Sequence, residues 1–223
     1  LGDTDQLPCI GGGNVLRDMI SCKKIPIANL SQVYRQHEET GLGAYVNTIR
    51  TALEAPSLPE SCSIDDSICF ISLREKSEIE QKVVEIAESM KNRGHEMGDV
   101  QILAPTREWS DNLNLHLKAA FNPVPDGQDL KAFTIGDYVI YTKNDYVNKL
   151  HNGQVGIISS TTEKTITVNY NGQAICHSKT DWEHLSLAYS LTIHKAQGSE
   201  YPIVIIPIHE SMGRALSRNL IST

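Results

Sequence analysis

The sequence lacks several features that would place it in a well-marked functional class. Its 223 residues contain no G-x-x-x-x-G-K-[ST] string, and the run Gly11–Gly13 is not followed by lysine, so a phosphate-binding P-loop is excluded. No apolar strand ends in Asp-Glu, the usual setting of a Mg²⁺-holding acid. No stretch approaches the roughly 20 apolar residues that span a bilayer. The first residues lack Met and the pattern of a signal peptide, so we expect a segment of a longer chain.

Cysteine is scarce and scattered. The five cysteines are Cys9, Cys22, Cys62, Cys69 and Cys176, and none forms a C-x-x-C pair. This spacing supports neither a zinc ribbon nor a disulfide framework. We expect small buried hydrophobic side chains in a reducing, cytoplasmic setting.

A basic excess is also missing, because the formal net charge is −7 at pH 7. A domain that grips nucleic acid by itself usually carries a basic stripe. Any contact with DNA is therefore expected at a local groove, with help from a second domain. Hydrophobic residues (40%) and charged residues (21%) are in the range of ordinary globular proteins, so a folded core is expected.

The first half of the chain has the pattern of an α/β domain. A short helix is predicted around Asn14–Ile20. Further on, an apolar strand from Ser67 to Leu73 is followed by a helix that starts at the capping box Ser77–Glu80 and stops at Gly94. The buried strand Val100–Ala104 then completes a strand-helix-strand unit, which is typical of a parallel sheet. The apolar face of the helix comprises Ile79, Val83, Ile86 and Met90.

From Phe133 to about Glu183 the pattern changes to short strands with tight turns. Asn152-Gly153 and Asn171-Gly172 are signals for type I′ hairpins. We predict a small β-barrel here, and α/β character returns with residues 185–193 and the strand Tyr201–Ile206. Three tyrosines of this region, Tyr138, Tyr141 and Tyr146, suit either base stacking or packing within the sheet, and packing is favoured.

Four strings carry side chains suited to phosphate chemistry. Gly2–Pro8 presents Gln6 in a polar loop, and Tyr34–Gln36 presents Arg35, whose guanidinium binds phosphate oxygens in a bidentate manner. Thr106 follows a predicted parallel strand, where it suits a phosphate contact and a helix cap equally well. Tyr189–Glu200 combines a glycine turn with the donors Thr192, His194, Lys195 and Gln197. An Asx turn, a surface arginine and a polar loop are the structural alternatives.

In this order the strings resemble the later motifs of superfamily 1 helicases, specifically the RecD-like group (the exodeoxyribonuclease V alpha subunit family). Gly2–Pro8 is similar to motif III, Tyr34–Gln36 to motif IV and Thr192–Glu200 to motif V. Arg218–Thr223 resembles the start of motif VI. The resemblance implies a RecA-like parallel-sheet domain with an inserted small SH3-like β-barrel, to which residues 136–139 and 152–156 are similar.

The resemblance also implies a division of the chain. Residues 1–24 would be the tail of a first RecA-like motor domain, and residues 25–126 the first part of a second. Residues 127–184 would form the barrel insertion, and residues 185–223 the last part of the second motor domain.

Roles follow from the resemblance residue by residue. Gln6 would sense the γ-phosphate of ATP, and Arg35 would be the arginine finger that stabilises the transferring phosphoryl group. Gly198 and Glu200 would lie near the nucleotide. The residues expected along the single-stranded DNA path are Thr106, Thr192, His194, Lys195 and Gln197.

The parent protein would be an ATP-dependent DNA helicase using ATP and Mg²⁺, with 5′ to 3′ movement expected from the family. Its partners would be single-stranded DNA, the missing N-terminal motor domain and, in one version, other exonuclease V subunits. Without the P-loop and the Mg²⁺-holding acid, this chain is predicted not to hydrolyse ATP alone. The alternative is a non-catalytic nucleic-acid-binding or protein-interaction module. An unrelated α/β enzyme would need its own acid, base or nucleophile set, which we do not find.

Overall fold

The computed structural model describes residues 2–4, 6, 13–28, 41–51, 63–64, 67–217 and 219–220. The chain divides into two compact units, one formed by Leu1–Arg74 with Gly213–Thr223 and the other by Glu75–Met212. In the described part of the chain, no helix is both long and apolar enough to cross a membrane.

Among its described residues, the first unit contains two helices and a short hairpin. Helix α1 (Val15–Ser21) is capped by Asn14, whose side-chain oxygen accepts from the Arg17 amide at 3.4 Å, so the predicted helix is confirmed. Helix α2 (Gly41–Thr51) precedes β1 (Ser63–Ile64) and β2 (Ile68–Cys69), which pair antiparallel. An edge-to-face contact, with 5.2 Å between ring centroids, joins Tyr45 of α2 to Phe70.

The predicted strand Ser67–Leu73 is correct in place and wrong in length and partner. Only Ile68 and Cys69 are extended in a ladder, and they pair with β1. Ile71 is 46% exposed, so the alternating pattern does not mark a buried strand there. Alternation predicts an extended segment but cannot choose its partner, which is set by contacts distant in sequence. The expected strand-helix-strand unit therefore lacks its first strand.

The second unit contains a three-stranded parallel sheet, a five-stranded antiparallel sheet and their helices. In chain order its elements are α3 (Lys76–Asn92), β3 (Val100–Ala104), α4 (Arg107–Phe121), β4 (Tyr138–Tyr141), β5 (Gln154–Thr161), β6 (Thr165–Tyr170), β7 (Gln173–Ser178), a 3₁₀ turn (Lys179–His184), β8 (Leu185–Leu187), β9 (Ser190–Thr192), α5 (Ile193–Ala196) and β10 (Ile203–Ile205). A further 3₁₀ turn, Glu210–Ala215, follows β10.

The parallel sheet has the order β10-β3-β9, with β3 in the centre. Ile102 and Ala104 of β3 have no exposed surface, which confirms the predicted buried strand. The predicted buried strand Tyr201–Ile206 is shorter, and it lies at an edge. It pairs only with β3 in the described part of the chain, and Val204 and Ile206 are 43% and 39% exposed. An edge position leaves one side of a strand without a neighbour and so exposes part of it.

Helix α3 begins slightly earlier than its sequence pattern predicts. The Glu75 amide donates to the Glu78 carboxylate at 3.2 Å, so the capping box is Glu75–Glu78 and not Ser77–Glu80. Both pairs have the required spacing of three. Glu80 instead lies buried, 3.9 Å from the Lys76 ammonium group. The end of the helix is as predicted, since Gly94 has φ +95° just beyond it.

The antiparallel sheet has the order β7-β6-β5-β4-β8, and its core is formed by Val139, Tyr141, Leu150, Ile158, Ile166, Val168, Tyr170, Ile175 and Leu185. The predicted turn at Asn171-Gly172 is confirmed, because both residues have positive φ (51° and 93°) between β6 and β7. Asn152-Gly153 is not such a turn. Only Gly153 has positive φ, and a longer connection joins β4 to β5.

The cysteine prediction is wrong where the structure describes it. Cys22, Cys69 and Cys176 are free and exposed, not buried. The remaining two, Cys9 and Cys62, lie outside the described residues. On a strand with one solvated face, such as β7 with Cys176, alternate positions face water whatever the residue type.

Candidate nucleic-acid interface

Two predicted DNA-path threonines lie at one edge of the parallel sheet. Strands β3 and β9 are parallel neighbours, with Ala104 opposite Thr192 in the register. Thr106 follows Ala104 by two residues, so both threonines sit just at or beyond the carboxyl ends of adjacent strands. This is the edge at which open α/β sheets bind ligands.

Both threonines cap helices. The Thr106 hydroxyl accepts from the Trp109 amide at 3.3 Å at the start of α4, and the Thr192 hydroxyl accepts from the Lys195 amide at 3.3 Å at the start of α5. The capping alternative for Thr106 is thus confirmed. A hydroxyl that accepts one hydrogen bond still has its own proton to donate, so capping and a phosphate contact are compatible.

The same edge carries positive charge. Lys195 is exposed as a residue, yet loss of water around its ammonium group is the main cause of a lowered pKa. The Arg107 guanidinium lowers this pKa further, while the Asp111 carboxylate opposes the shift. A second cation near Lys195 and the first turn of α4 make this edge attractive to an anion. Sequence reasoning had not selected Arg107 or Asp111.

The residues after Thr192 form a short helix and a glycine turn. His194, Gln197 and Glu200 are exposed, and the Ser199 amide donates to the Ala196 carbonyl at 2.9 Å. Gly198 has φ +88°, a conformation that disfavours other residues, and no atom lies within 4 Å of the position that a side chain would take. The backbone here is therefore open to close approach by a ligand.

A row of buried polar residues on α4 holds β9 in place. The Ser110 hydroxyl and the Asn114 amide group donate to the Ser190 carbonyl at 3.0 and 2.9 Å. The Ser190 amide donates back to the Asn114 side-chain oxygen at 2.9 Å. Ser110, Asn114 and Ser190 are all at most 5% exposed. These bonds fix the strand that leads directly into Thr192.

The same row continues to a buried ion pair. The Lys118 ammonium group lies 2.6 Å from the Asp137 carboxylate, and both side chains are fully buried. Asn122 and Tyr189 donate to the other Asp137 oxygen at 2.8 and 3.0 Å, and the Thr134 amide donates to the oxygen that Lys118 contacts at 2.8 Å. Asp137 therefore joins α4 to the start of the antiparallel sheet and to the residue before Ser190.

The sequence spacing of these polar residues indicates that they share one side of a helix. Ser110, Asn114, Lys118 and Asn122 recur every four residues, which places them along one side of a helix. Polar residues at that spacing usually mark the solvated face, so sequence reasoning passed over them. Only the buried partners reveal that this side faces inward.

Other predicted site residues lie in the first unit or outside the described chain. Gln6 is exposed, and the Asn219 amide group donates to the carbonyls of Thr4 and Gln6 at 3.3 and 3.2 Å. The predicted lead-in to motif VI thus contacts the predicted motif III. Arg35 and Arg218 lie outside the described residues. Within the described ranges, no three His, Cys, Asp or Glu side chains are grouped as metal ligands.

Comparison with known proteins first gives similarity to helicases. Residues 187–223 match the model of the UvrD-like helicase C-terminal domain. The chain also shares its fold with a crystal structure of Pif1 helicase from Bacteroides in complex with ADP-AlF3 and ssDNA. The TM-score is 0.58 at 17% identity, over 98% of this chain and 59% of that one. The chain thus has the fold of a helicase of known structure, and residues 187–223 are similar to the C-terminal domain of UvrD-like helicases.

Two curated relatives then specify the group. The chain is 33% identical over its full length to the ATP-dependent RecD2 DNA helicase of Deinococcus radiodurans, and it spans 30% of that protein. It is 25% identical, again over its full length, to the RecBCD enzyme subunit RecD of Mycolicibacterium smegmatis, of which it spans 42%. These matches confirm the resemblance to RecD-like superfamily 1 helicases. The chain covers less than half of either relative.

Proposed function

We propose that this chain is part of the motor of an ATP-dependent DNA helicase that translocates on single-stranded DNA and unwinds duplex, moving 5′ to 3′ as expected from the family. The observation that carries the proposal is the common edge of β3 and β9, where Thr106, Thr192 and Lys195 occur together. The parent protein would be a stand-alone helicase or a subunit of an exonuclease V complex.

The proposed DNA path runs along this edge. The Thr106 and Thr192 hydroxyls would donate to phosphate oxygens while they continue to cap their helices. Lys195 would attract the backbone as a point charge, and Arg107 would do so through its planar guanidinium. His194 and Gln197 would add contacts on the exposed side of α5. The bonds from Ser110 and Asn114 to Ser190 would keep the path in register during repeated cycles of binding and release.

The nucleotide roles are proposed from the motif matches. Gln6 would sense the γ-phosphate and Arg35 would stabilise its transfer. Gly198 and Glu200 would approach the nucleotide, and the open backbone at Gly198 fits this role. Among the described residues no group of three or more His, Cys, Asp or Glu side chains is suited to hold Mg²⁺. When bound, ATP with its metal supplies the phosphoryl transfer that drives movement.

The architecture proposed for the antiparallel sheet is an SH3-like barrel inserted in a RecA-like domain. Support comes from the strand order, in which the last strand β8 pairs with the first strand β4, and from the 3₁₀ turn just before β8. A shift of register between Ile158 and Ser160 bends β5, as closure of a small sheet requires. The domain limits at residues 24, 126 and 184 remain part of this proposal.

The test compares ATP hydrolysis, with and without single-stranded DNA, by this chain and by a longer chain that includes the P-loop domain of the parent protein. We expect no turnover by this chain and DNA-stimulated turnover by the longer one, because the P-loop and the Mg²⁺-holding acid are absent here. Arg35→Ala in the longer chain should abolish turnover, while Arg17→Ala, on the exposed surface of α1, should not.

Either of two results would count against the proposal. Robust Mg²⁺-dependent turnover by this chain alone would contradict the split motor. Absence of turnover by the longer chain would remove the motor assignment and favour a non-catalytic binding module.

A further inference from the structure

The connection between β4 and β5 presents two apolar side chains to solvent. We call residues 143–150 the tip. Within it Tyr146 is 83% exposed and Val147 is 91% exposed. No other large apolar side chain in the described part of the chain is as exposed as these two. The other two tyrosines of this region pack instead. Tyr141 is in the sheet core, and the ring of Tyr138 lies 5.8 Å from that of Tyr189.

The tip is held in one shape by its own hydrogen bonds. One Asp145 carboxylate oxygen accepts from the Val147 and Asn148 amides at 3.0 and 3.1 Å, and the other accepts from the Asn148 side chain at 2.7 Å. Asp145 and Leu150 exchange both backbone hydrogen bonds, and Leu150 is buried in the sheet core. The exposed ring therefore projects from an ordered turn, which lowers the entropy lost when a ligand binds.

The charge around the tip is opposite to that of the whole chain. Lys143 and Lys149 flank Tyr146, and Asp145 is the only acid in the segment, so the local formal charge is +1 (two lysines less one aspartate) in a chain of −7. The Asp145 carboxylate already accepts hydrogen bonds within the turn on both oxygens. Lys143 and Lys149 are both exposed, and the Lys143 ammonium group also lies 3.4 Å from His184 Nε2. The charged groups of the tip that the turn itself does not use are therefore the two lysines.

We infer that the tip is a second contact for single-stranded nucleic acid, in which a base stacks on the Tyr146 ring while Lys143 and Lys149 attract the adjoining phosphates. An exposed aromatic ring with neighbouring cations is how sequence-independent single-strand binding is built. Lysine is depleted in protein-protein interfaces, so a protein partner is the less favoured occupant. This inference rests on the proposed function in one respect, since both take single-stranded nucleic acid as the ligand.

A single-stranded ligand is required because stacking needs an uncovered base face. In a duplex both faces of each internal base are stacked on its neighbours, so Tyr146 would have no surface to cover. The lysines would still attract duplex phosphates. The contribution of the Tyr146 ring is therefore predicted to be specific to single strands, while that of the lysines is shared by both forms.

The experiment measures the affinity of this chain for fluorescein-labelled oligo(dT) by fluorescence anisotropy at about 50 mM salt, where phosphate attraction is strong. Tyr146→Ala should weaken the affinity for oligo(dT) by about tenfold. Tyr146→Phe keeps the ring, so its affinity should stay within about twofold of that of the unmodified chain. Ile157→Ala serves as the matched control, since Ile157 is a 41% exposed apolar residue on the same sheet. Tyr146→Ala and the unmodified chain should bind a duplex of random sequence with equal affinity.

Three outcomes would overturn the inference. They are no binding of oligo(dT) by the unmodified chain, unchanged affinity in Tyr146→Ala, and an equal loss of affinity in Tyr146→Ala and Tyr146→Phe. Lys195→Ala, measured in parallel, separates the two proposals. If only Lys195→Ala weakens binding, the tip is excluded and the sheet edge stands. If only Tyr146→Ala does so, the proposed path along β3 and β9 fails and the tip stands.

Discussion

The most constrained side chain in the second unit is the carboxylate of Asp137. It accepts hydrogen bonds from four side chains, namely Lys118 and Asn122 at the end of α4, Thr134 and Tyr189. Burial of an ion pair costs desolvation energy, and this cost is offset only when the remaining lone pairs are also satisfied. Here they are, so the pair specifies one arrangement of α4, β4 and the residues before β9.

We predict that Asp137→Asn destabilises the second unit by about 3–5 kcal/mol, because it leaves the Lys118 charge buried without its counter-ion. Urea unfolding followed by tryptophan fluorescence is the measurement, since Trp109 and Trp182 both lie in this unit. Asp126→Asn, at an exposed position, should change the free energy of unfolding by less than about 0.5 kcal/mol. If both variants lower the free energy of unfolding by a similar amount, the buried ion pair does not contribute more to stability than an exposed carboxylate.

At the scale of single elements, several signals from adjacent residues predict the structure, whereas the partners of strands are not predicted. The capping box at Ser77–Glu80 and the turn at Asn152-Gly153 are local predictions that are wrong. The buried run of β3 and the turn at Asn171-Gly172 depend on residues adjacent in sequence, and both were predicted. The partner of β2 and the edge position of β10 depend on distant contacts, which a pattern cannot supply. The candidate site follows the same division. Strand ends located Thr106 and Thr192, whereas the buried bonds of Ser110 and Asn114 were missed.

Strand β5 pairs with β6, and at Gly156 of β5 there is no room for a side chain. A Cβ at Gly156 would lie 2.6 Å from Val168 Cγ1 and 2.7 Å from the Asn169 carbonyl oxygen. Backbone cannot move aside cheaply, so Gly156→Ala should lower the free energy of unfolding by about 1–3 kcal/mol or more. Gly98→Ala is the control, because nothing lies within 4 Å of its Cβ position. Equal stability of the two variants would contradict the packing described for the sheet.

The core of the antiparallel sheet should also respond to pH through His177. Its ring is 3% exposed, and its Nε2 lies 3.0 Å from the Tyr170 hydroxyl. Burial lowers the pKa of His177, against the opposing carboxylates of Asp181 and Asp145. The unfolded chain therefore binds a proton more readily, and stability should fall as pH drops below about 6.5, the ordinary histidine value.

His177→Gln, which cannot titrate, should flatten this dependence between about pH 6.5 and pH 5, as followed by thermal unfolding across that range. The lowered pKa values of Asp145 and Asp181 act separately. Their contribution is present above the ordinary aspartate pKa and is lost as pH falls below it. If His177→Gln keeps the full dependence of stability on pH above pH 5, His177 is not its source.

At the scale of the whole molecule, the acidic net charge limits how the chain can hold nucleic acid. The positive groups proposed to contact nucleic acid are Lys195 and Arg107 at the edge of β3 and β9 and two lysines at the tip, while the sum over the chain is −7. Like-charge repulsion from the rest of the surface opposes a polyanion, so short-range contacts must provide the attraction. The resemblance to helicases was evident from ordered motifs, but this balance of local and total charge required coordinates.

We therefore predict weak binding of single-stranded DNA that declines steeply with salt. Between about 50 and 200 mM NaCl the logarithm of the binding constant should fall linearly with the logarithm of salt concentration, by about 0.7 for each phosphate neutralised. Anisotropy titrations at several salt concentrations would measure this slope. Tight binding at physiological salt would mean that the contacts identified here are not the main ones.

The polar row on α4 turns gradually around the helix axis. Residues in an α-helix are about 100° apart, so a step of four residues advances by about 40° beyond a full turn. From Ser110 to Lys118 the row therefore rotates by about 80° around the helix axis, and Asn122 follows as the residue that ends the helix. One helix thereby presents its amino-terminal half to β9, through Ser110 and Asn114, and its carboxyl-terminal half to Asp137, through Lys118 and Asn122. The same helix therefore holds both the strand that ends at Thr192 and the start of the antiparallel sheet, through two different sides.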